Sequence, residues 1–134
     1  SEKTGDSMYT HVVVGSNDLA KSKQFYDAVF GTLGIGPGMD MGTRLAYASP
    51  TGGNFMVTMP INGEPACHAN GGTIGFAATS KEQIHAWHDA GVAAGGTSCE
   101  DPPGLRDLGF AKLYLAYLRD PDGNKLCTML AVNE

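Results

Sequence analysis

Tyr117-Leu118-Arg119-Asp120-Pro121-Asp122-Gly123-Asn124-Lys125-Leu126 is the stretch whose reading decides the fold. Pro121 fixes one φ angle, and Gly123 or Asn124 can take positive φ, so residues 120–124 predict a tight hairpin turn. Lys112 to Arg119 alternates well enough for the strand before it, and Lys125 to Val132 supplies the strand after it. The turn has an earlier counterpart. A shift of 70 carries Tyr47 onto Tyr117, Gly53-Asn54 onto Gly123-Asn124 and Thr58 onto Thr128. Each copy reads strand, turn, strand.

Outward from the hairpin, the N-terminal part of the chain repeats as well, at a shift of 62. His11-Val12-Val13-Val14 falls on Thr73-Ile74-Gly75-Phe76, and Phe25-Tyr26-Asp27-Ala28 falls on Trp87-His88-Asp89-Ala90. Each of these copies reads as a short apolar strand, a turn and an amphipathic helix. The first helix is expected to start at Asn17 or Asp18. The second is expected at Ser80, with Gln83 placed for a capping box. The change of shift from 62 to 70 implies about eight extra residues in the second copy, assigned to the Pro- and Gly-rich loop 99–109.

The two copies give a module at about 8–60, a linker at about 61–71 and a module at about 72–132, within one domain spanning 8–134. The polar residues 1–7 are set aside as a disordered tail or tag remnant. The 19 glycines are scattered, which suits many tight turns between short elements.

Composition narrows the function. Nine basic against 14 acidic residues leave a net charge of −5. That argues against nucleic acid and against an anionic membrane surface, because both need a basic footprint. No apolar run is long enough to span a membrane. Cys67, Cys99 and Cys127 are odd in number and match no CxxC pattern, so a reducing compartment, the cytoplasm, is expected. Charged residues make up only 17% of the chain. A sparsely charged surface with sheet edges predicts a homodimer.

With the repeat in hand, two segments resemble the glyoxalase, bleomycin-resistance and extradiol dioxygenase superfamily, the vicinal-oxygen-chelate proteins. They are His11-Val12-Val13-Val14-Gly15-Ser16-Asn17-Asp18-Leu19-Ala20-Lys21-Ser22-Lys23-Gln24-Phe25-Tyr26-Asp27 and the closing hairpin quoted above. The resemblance covers essentially residues 8–132. It implies an α+β fold, two βαβββ-type modules in tandem, forming a half-open, roughly eight-stranded barrel-like sheet around one pocket.

Members of the superfamily that use a metal hold it with two inward positions per module, usually His or Gln on the first strand and Glu on the last. By the two shifts those positions are His11, Val57, Thr73 and Cys127. Only His11 is of the expected type. Valine cannot bind a metal and threonine is a poor neutral ligand, so no metal or other cofactor is expected. If a divalent transition metal were held, His11 and Cys127 would hold it.

His11 is also the best acid–base candidate, because imidazole titrates near neutral pH. Tyr47 and Tyr117 are repeat-equivalent candidates for the pocket wall. Arg106, in the loop read at 99–109, could meet an anionic group of a ligand or be a solvated loop arginine. His85 and His88 share a face of the second helix without a third ligand. Three functions stay open on the residues: a metal-independent binder of a small apolar or aromatic molecule, a metal-dependent lyase, isomerase or dioxygenase, and an interaction scaffold. The broken ligand set favours the first.

Overall fold

The computed structural model describes residues 8–133, and the tail read at residues 1–7 lies outside the described residues. The first module contains β1 (His11–Gly15), α1 (Leu19–Thr32), β2 (Met39–Asp40), β3 (Arg44–Ala48) and β4 (Asn54–Thr58). The second contains β5 (Ile74–Ala77), α2 (Lys81–Ala93), β6 (Thr97–Ser98), β7 (Gly104–Asp107), β8 (Lys112–Arg119) and β9 (Lys125–Val132). This is the tandem α+β arrangement expected from the repeat.

Each helix starts where a side chain can cap it. The Asp18 carboxylate accepts from the Lys21 N–H at 3.2 Å. Ser80 Oγ accepts from the Gln83 N–H at 3.1 Å, and Gln83 Oε1 accepts from the Thr79 N–H at 2.7 Å. In each module the first strand lies parallel to the last, β1 on β4 and β5 on β9. A parallel pair needs a crossover, and the helix supplies it.

The sheets are ordered β1-β4-β3-β2 and β5-β9-β8-β6, with β7 also pairing β8. They are two separate sheets rather than one closed barrel. The described strands number nine instead of about eight. The stretch read as a loop at 99–109 contains β7, which is paired with β8 from Gly104–Leu115 to Asp107–Lys112. Four residues between prolines and a glycine turn are too short for an alternation signal to register.

Both helices pack on the same side of the two sheets. Phe25, Tyr26, Val29 and Phe30 from α1 and Ile84 and Trp87 from α2 form one core with Leu45, Phe55, Val57, Leu118 and Leu126. The helices meet at Gly91, where a Cβ would lie 2.3 Å from Leu118 Cδ1 and 3.1 Å from Val29 Cγ1. The turn between β8 and β9 reaches back to the first module: Asn124 Nδ2 donates to the Gly15 carbonyl at 3.2 Å, and the Asn17 N–H donates to Asp122 at 2.9 Å. The other face of each sheet points away from the helices and is termed the open face, although Leu115 and Cys127 are buried on it in the second sheet.

Candidate functional site at the seam between the modules

Strand alternation sorts the candidate residues by face. On β1, Val12 and Val14 pack into the core, so His11 and Val13 lie on the open face. On β4, Phe55 and Val57 are core, so Asn54, Met56 and Thr58 share the open face. Val57 is fully buried against the helices. It therefore does not join His11, and Met56 stands in the open-face position expected of it. The cause is a register slip of one residue. Val13 pairs Met56, and Gly75 pairs Cys127. With Val13 and Gly75 62 apart, Met56 and Cys127 are 71 apart, not 70. One residue of slip turns every side chain of a strand over.

The same slip separates the two tyrosines. Tyr117 pairs Cys127 on the open face of the second sheet. Tyr47 is buried on the helix face, its hydroxyl donating to Asp27 at 2.7 Å. Burial, and then that hydrogen bond, push the Tyr47 phenol well above its ordinary value. Burial would raise Asp27, but the Gly38 N–H, Lys23 and Tyr47 outweigh it and hold the carboxyl low. Thr73 sits just ahead of β5 and is exposed.

Arg106 lies in β7 opposite Leu113, not in an irregular loop. Its guanidinium donates to the Asp101 and Pro102 carbonyls at 2.9 and 3.0 Å, so it braces its own hairpin. The second open face brings Tyr117 and Cys127 near Arg106, together with two residues that sequence reasoning missed. Lys125 is ion-paired with Glu100, and its Nζ lies 4.9 Å from the centre of the Tyr117 ring. Lys125 is two residues before Cys127, so strand periodicity could have found it; Glu100 carries no such signal. Burial, and then Glu100, push the Cys127 thiol up to about 11, against Tyr117, Arg106 and Lys125. At neutral pH it is a protonated thiol, a poor nucleophile and a poor metal ligand.

The donor set does not fit a divalent metal. Met56 offers a thioether where the superfamily uses a carboxylate, and Thr73 a hydroxyl. Among the described residues no three His, Cys, Asp or Glu side chains are grouped to hold a metal ion. His85 and His88 are engaged elsewhere, with Tyr114 Oη at 2.6 Å and Ser98 Oγ at 2.8 Å.

A cavity lies at the seam between the modules. Among the described strands β1 and β5 each pair one neighbour only, so each ends its sheet with an edge that no described strand covers. A cleft of about 410 Å³ is lined by successive residues from both faces of these strands, His11 and Val12 on one side and Ile74, Gly75, Phe76 and Ala77 on the other. A cleft lined by alternate faces must run between strand edges. Its inner wall is aromatic: Phe30, Phe55 and Phe76 form a triangle of near-perpendicular rings with centroids 5.1 to 5.5 Å apart. Tyr47 completes that wall, and the turn 49–53 forms part of the rim. Thr73 lines a second cleft of about 320 Å³ with Gly15, Cys67 and Asn124.

Residues 9–128 match the family model of the Glyoxalase/Bleomycin resistance protein/Dioxygenase superfamily. Among solved structures, the chain is similar to a glyoxalase/bleomycin resistance protein from Albidiferax ferrireducens T118, at 63% identity and a TM-score of 0.88, over 92% of this chain and 98% of that one. It shares its fold with a glyoxalase/bleomycin resistance protein/dioxygenase family enzyme from Burkholderia phytofirmans PsJN, at 16% identity and a TM-score of 0.69, over 92% and 98%. It shares it too with a glyoxalase-related enzyme from Fulvimarina pelagi, at 18% identity and a TM-score of 0.69, over 96% and 88%. Among curated proteins none matches. The repeat of strand, helix and strands, the parallel closure of each module and the match over residues 9–128 agree, and the chain belongs to the glyoxalase/bleomycin resistance protein/dioxygenase superfamily.

Proposed function

We propose that this chain is a metal-independent binder of a small apolar or aromatic molecule, seated in the seam cleft beside His11 and Tyr47. The observation that carries the reading is the cleft itself. A volume of about 410 Å³ lined by three phenylalanines, with polar groups at its rim, is the usual form of a small-molecule site. The unfavourable donor set supports independence from metal, because affinity for a transition ion needs several ligands acting together. His11 is the acid–base group at this site. Low charge and the outer sheet edges at β2 and β6 support a homodimer. Unpaired cysteines support a reducing compartment such as the cytoplasm. No described helix is long and apolar enough to cross a membrane.

The test joins metal analysis with a ligand screen. Untreated protein should carry no stoichiometric zinc, nickel, manganese or iron. Small aromatic molecules should raise its melting temperature. About one equivalent of metal, lost on His11→Ala, would replace this reading with a metal-dependent lyase, isomerase or dioxygenase.

A further inference from the structure

We propose that the seam cleft selects an uncharged aromatic ring bearing one hydrogen-bonding group, a phenol being the simplest example, and rejects the corresponding carboxylate. The inference rests on the cleft being the ligand site. It starts from what the lining lacks. Among the described residues no Lys, Arg, Asp or Glu side chain lines the cleft. A carboxylate moved into such a site gives up its hydration without a fixed cation to replace it, which is costly.

Tyr9, Ser49, Thr51 and Thr79 also line the cleft, and two of its polar groups sit side by side. His11 and Asn54 are register partners on adjacent strands and lie on the same open face. Side chains so placed are neighbours. His11 Nδ1 lies 2.9 Å from Thr10 Oγ1, which leaves Nε2 as the ring nitrogen to meet a ligand. Asn54 brings an amide with both a donor and an acceptor. Together they can satisfy a hydroxyl, which needs to give one hydrogen bond and accept another. Across the seam the half-buried Phe76 offers its ring to an aromatic guest, backed edge to face by Phe30 and Phe55 of the core. A ligand threaded between the β1 and β5 edges would thus keep its ring on the helix side and its hydroxyl on the open side.

Three probes of one shape test this at pH 7 on the full chain: 1-naphthol, 1-naphthoate and naphthalene, with binding read from the NMR resonances of Phe76 and His11. Naphthol should shift both residues and bind at least about tenfold more tightly than naphthoate. The paired substitution His11→Leu and Asn54→Leu, both at exposed positions, should bring naphthol and naphthalene to within about threefold of each other. Naphthoate binding as tightly as naphthol would overturn the ligand class and leave the cleft standing. An unchanged preference for naphthol in the paired variant would overturn the role of His11 and Asn54. No shift at Phe76 with any probe would remove the cleft as the ligand site, and the proposed function with it.

Discussion

The Tyr26 hydroxyl donates to Asp120 Oδ2 at 2.5 Å, across 94 residues of chain and inside the core. Tyr26 belongs to α1 of the first module, and Asp120 opens the hairpin turn of the second. Both are nearly inaccessible. Asp120 also accepts from the Asp122 and Asn124 N–H groups and from Asn124 Nδ2, all between 2.8 and 2.9 Å. One carboxylate therefore shapes the turn and docks the modules on each other.

This pair predicts an alkaline limb in stability. Burial, then the charge and hydrogen bond of Asp120, raise the Tyr26 phenol well above its ordinary value of 10.0. A group whose folded pKa is raised contributes stability that is full below the unfolded pKa and lost as pH climbs past it. Urea midpoints should hold up to about pH 10 and fall above it. Tyr26→Phe should cost about 1–2 kcal/mol at pH 7, through the missing hydrogen bond to a buried carboxylate. It should also flatten the fall above pH 10. Midpoints running parallel in the two proteins from pH 8 to 12 would rule this out.

Gly91 predicts a contest between helix propensity and packing. Alanine in a helix interior gains about 1 kcal/mol over glycine. At this position the added Cβ meets Leu118 at 2.3 Å, Val29 at 3.1 Å and Phe25 at 3.3 Å, all in the core. Overpacking a core costs about 1–3 kcal/mol. Packing should win, and Gly91→Ala should lower the melting temperature. A rise would mean that α1 and α2 can separate without loss.

Cys127 should resist alkylation. Its thiol is buried and pushed up to about 11, so very little thiolate exists at pH 8. Cys67 is exposed and should take iodoacetamide first. Mass spectrometry of briefly treated native protein should find Cys127 unmodified, with modification appearing only in denaturant. Rapid native labelling at Cys127 would return it to consideration as a nucleophile.

Much of the fold was legible in the sequence because it rests on local chemistry. Asp18 and Ser80 cap helices as their side chains require, and Asp120-Pro121-Asp122-Gly123-Asn124 folds into the turn its residues favour, with Gly123 at φ 93°. The candidate site was less legible, because a face depends on counting strands to the residue. Gly53-Asn54 looks identical to Gly123-Asn124, yet the two pairs are not equivalent. Asn54 already begins β4, whereas Asn124 is still in the turn, held by Asp120 and the Gly15 carbonyl. In the first turn Gly52 and Gly53 both have positive φ, at 109° and 78°, and stand where Gly123 and Asn124 stand in the second. A chance identity thus outweighed the true alignment by one residue. The seam cleft was invisible for another reason: its walls come from α1, β1, β3, β4 and β5, and no spacing along the chain announces that they meet.

The corrected register can be tested with a carboxylate placed at each of two adjacent positions. Val57 is wholly buried on the helix face. Val57→Glu must bury a carboxylate among Val14, Leu45 and the core aromatics, which should cost more than about 3 kcal/mol and leave the chain unfolded or insoluble. Met56 is half-buried on the open face, and its Sδ already lies 3.7 Å from Arg44 Nη1. A glutamate there can reach that guanidinium and keep its charge in contact with water, so Met56→Glu should fold and lose no more than about 1 kcal/mol. Circular dichroism and thermal melting of the two variants decide the matter. A stable Val57→Glu beside an unfolded Met56→Glu would restore the shift of 70 and put Val57 back beside His11.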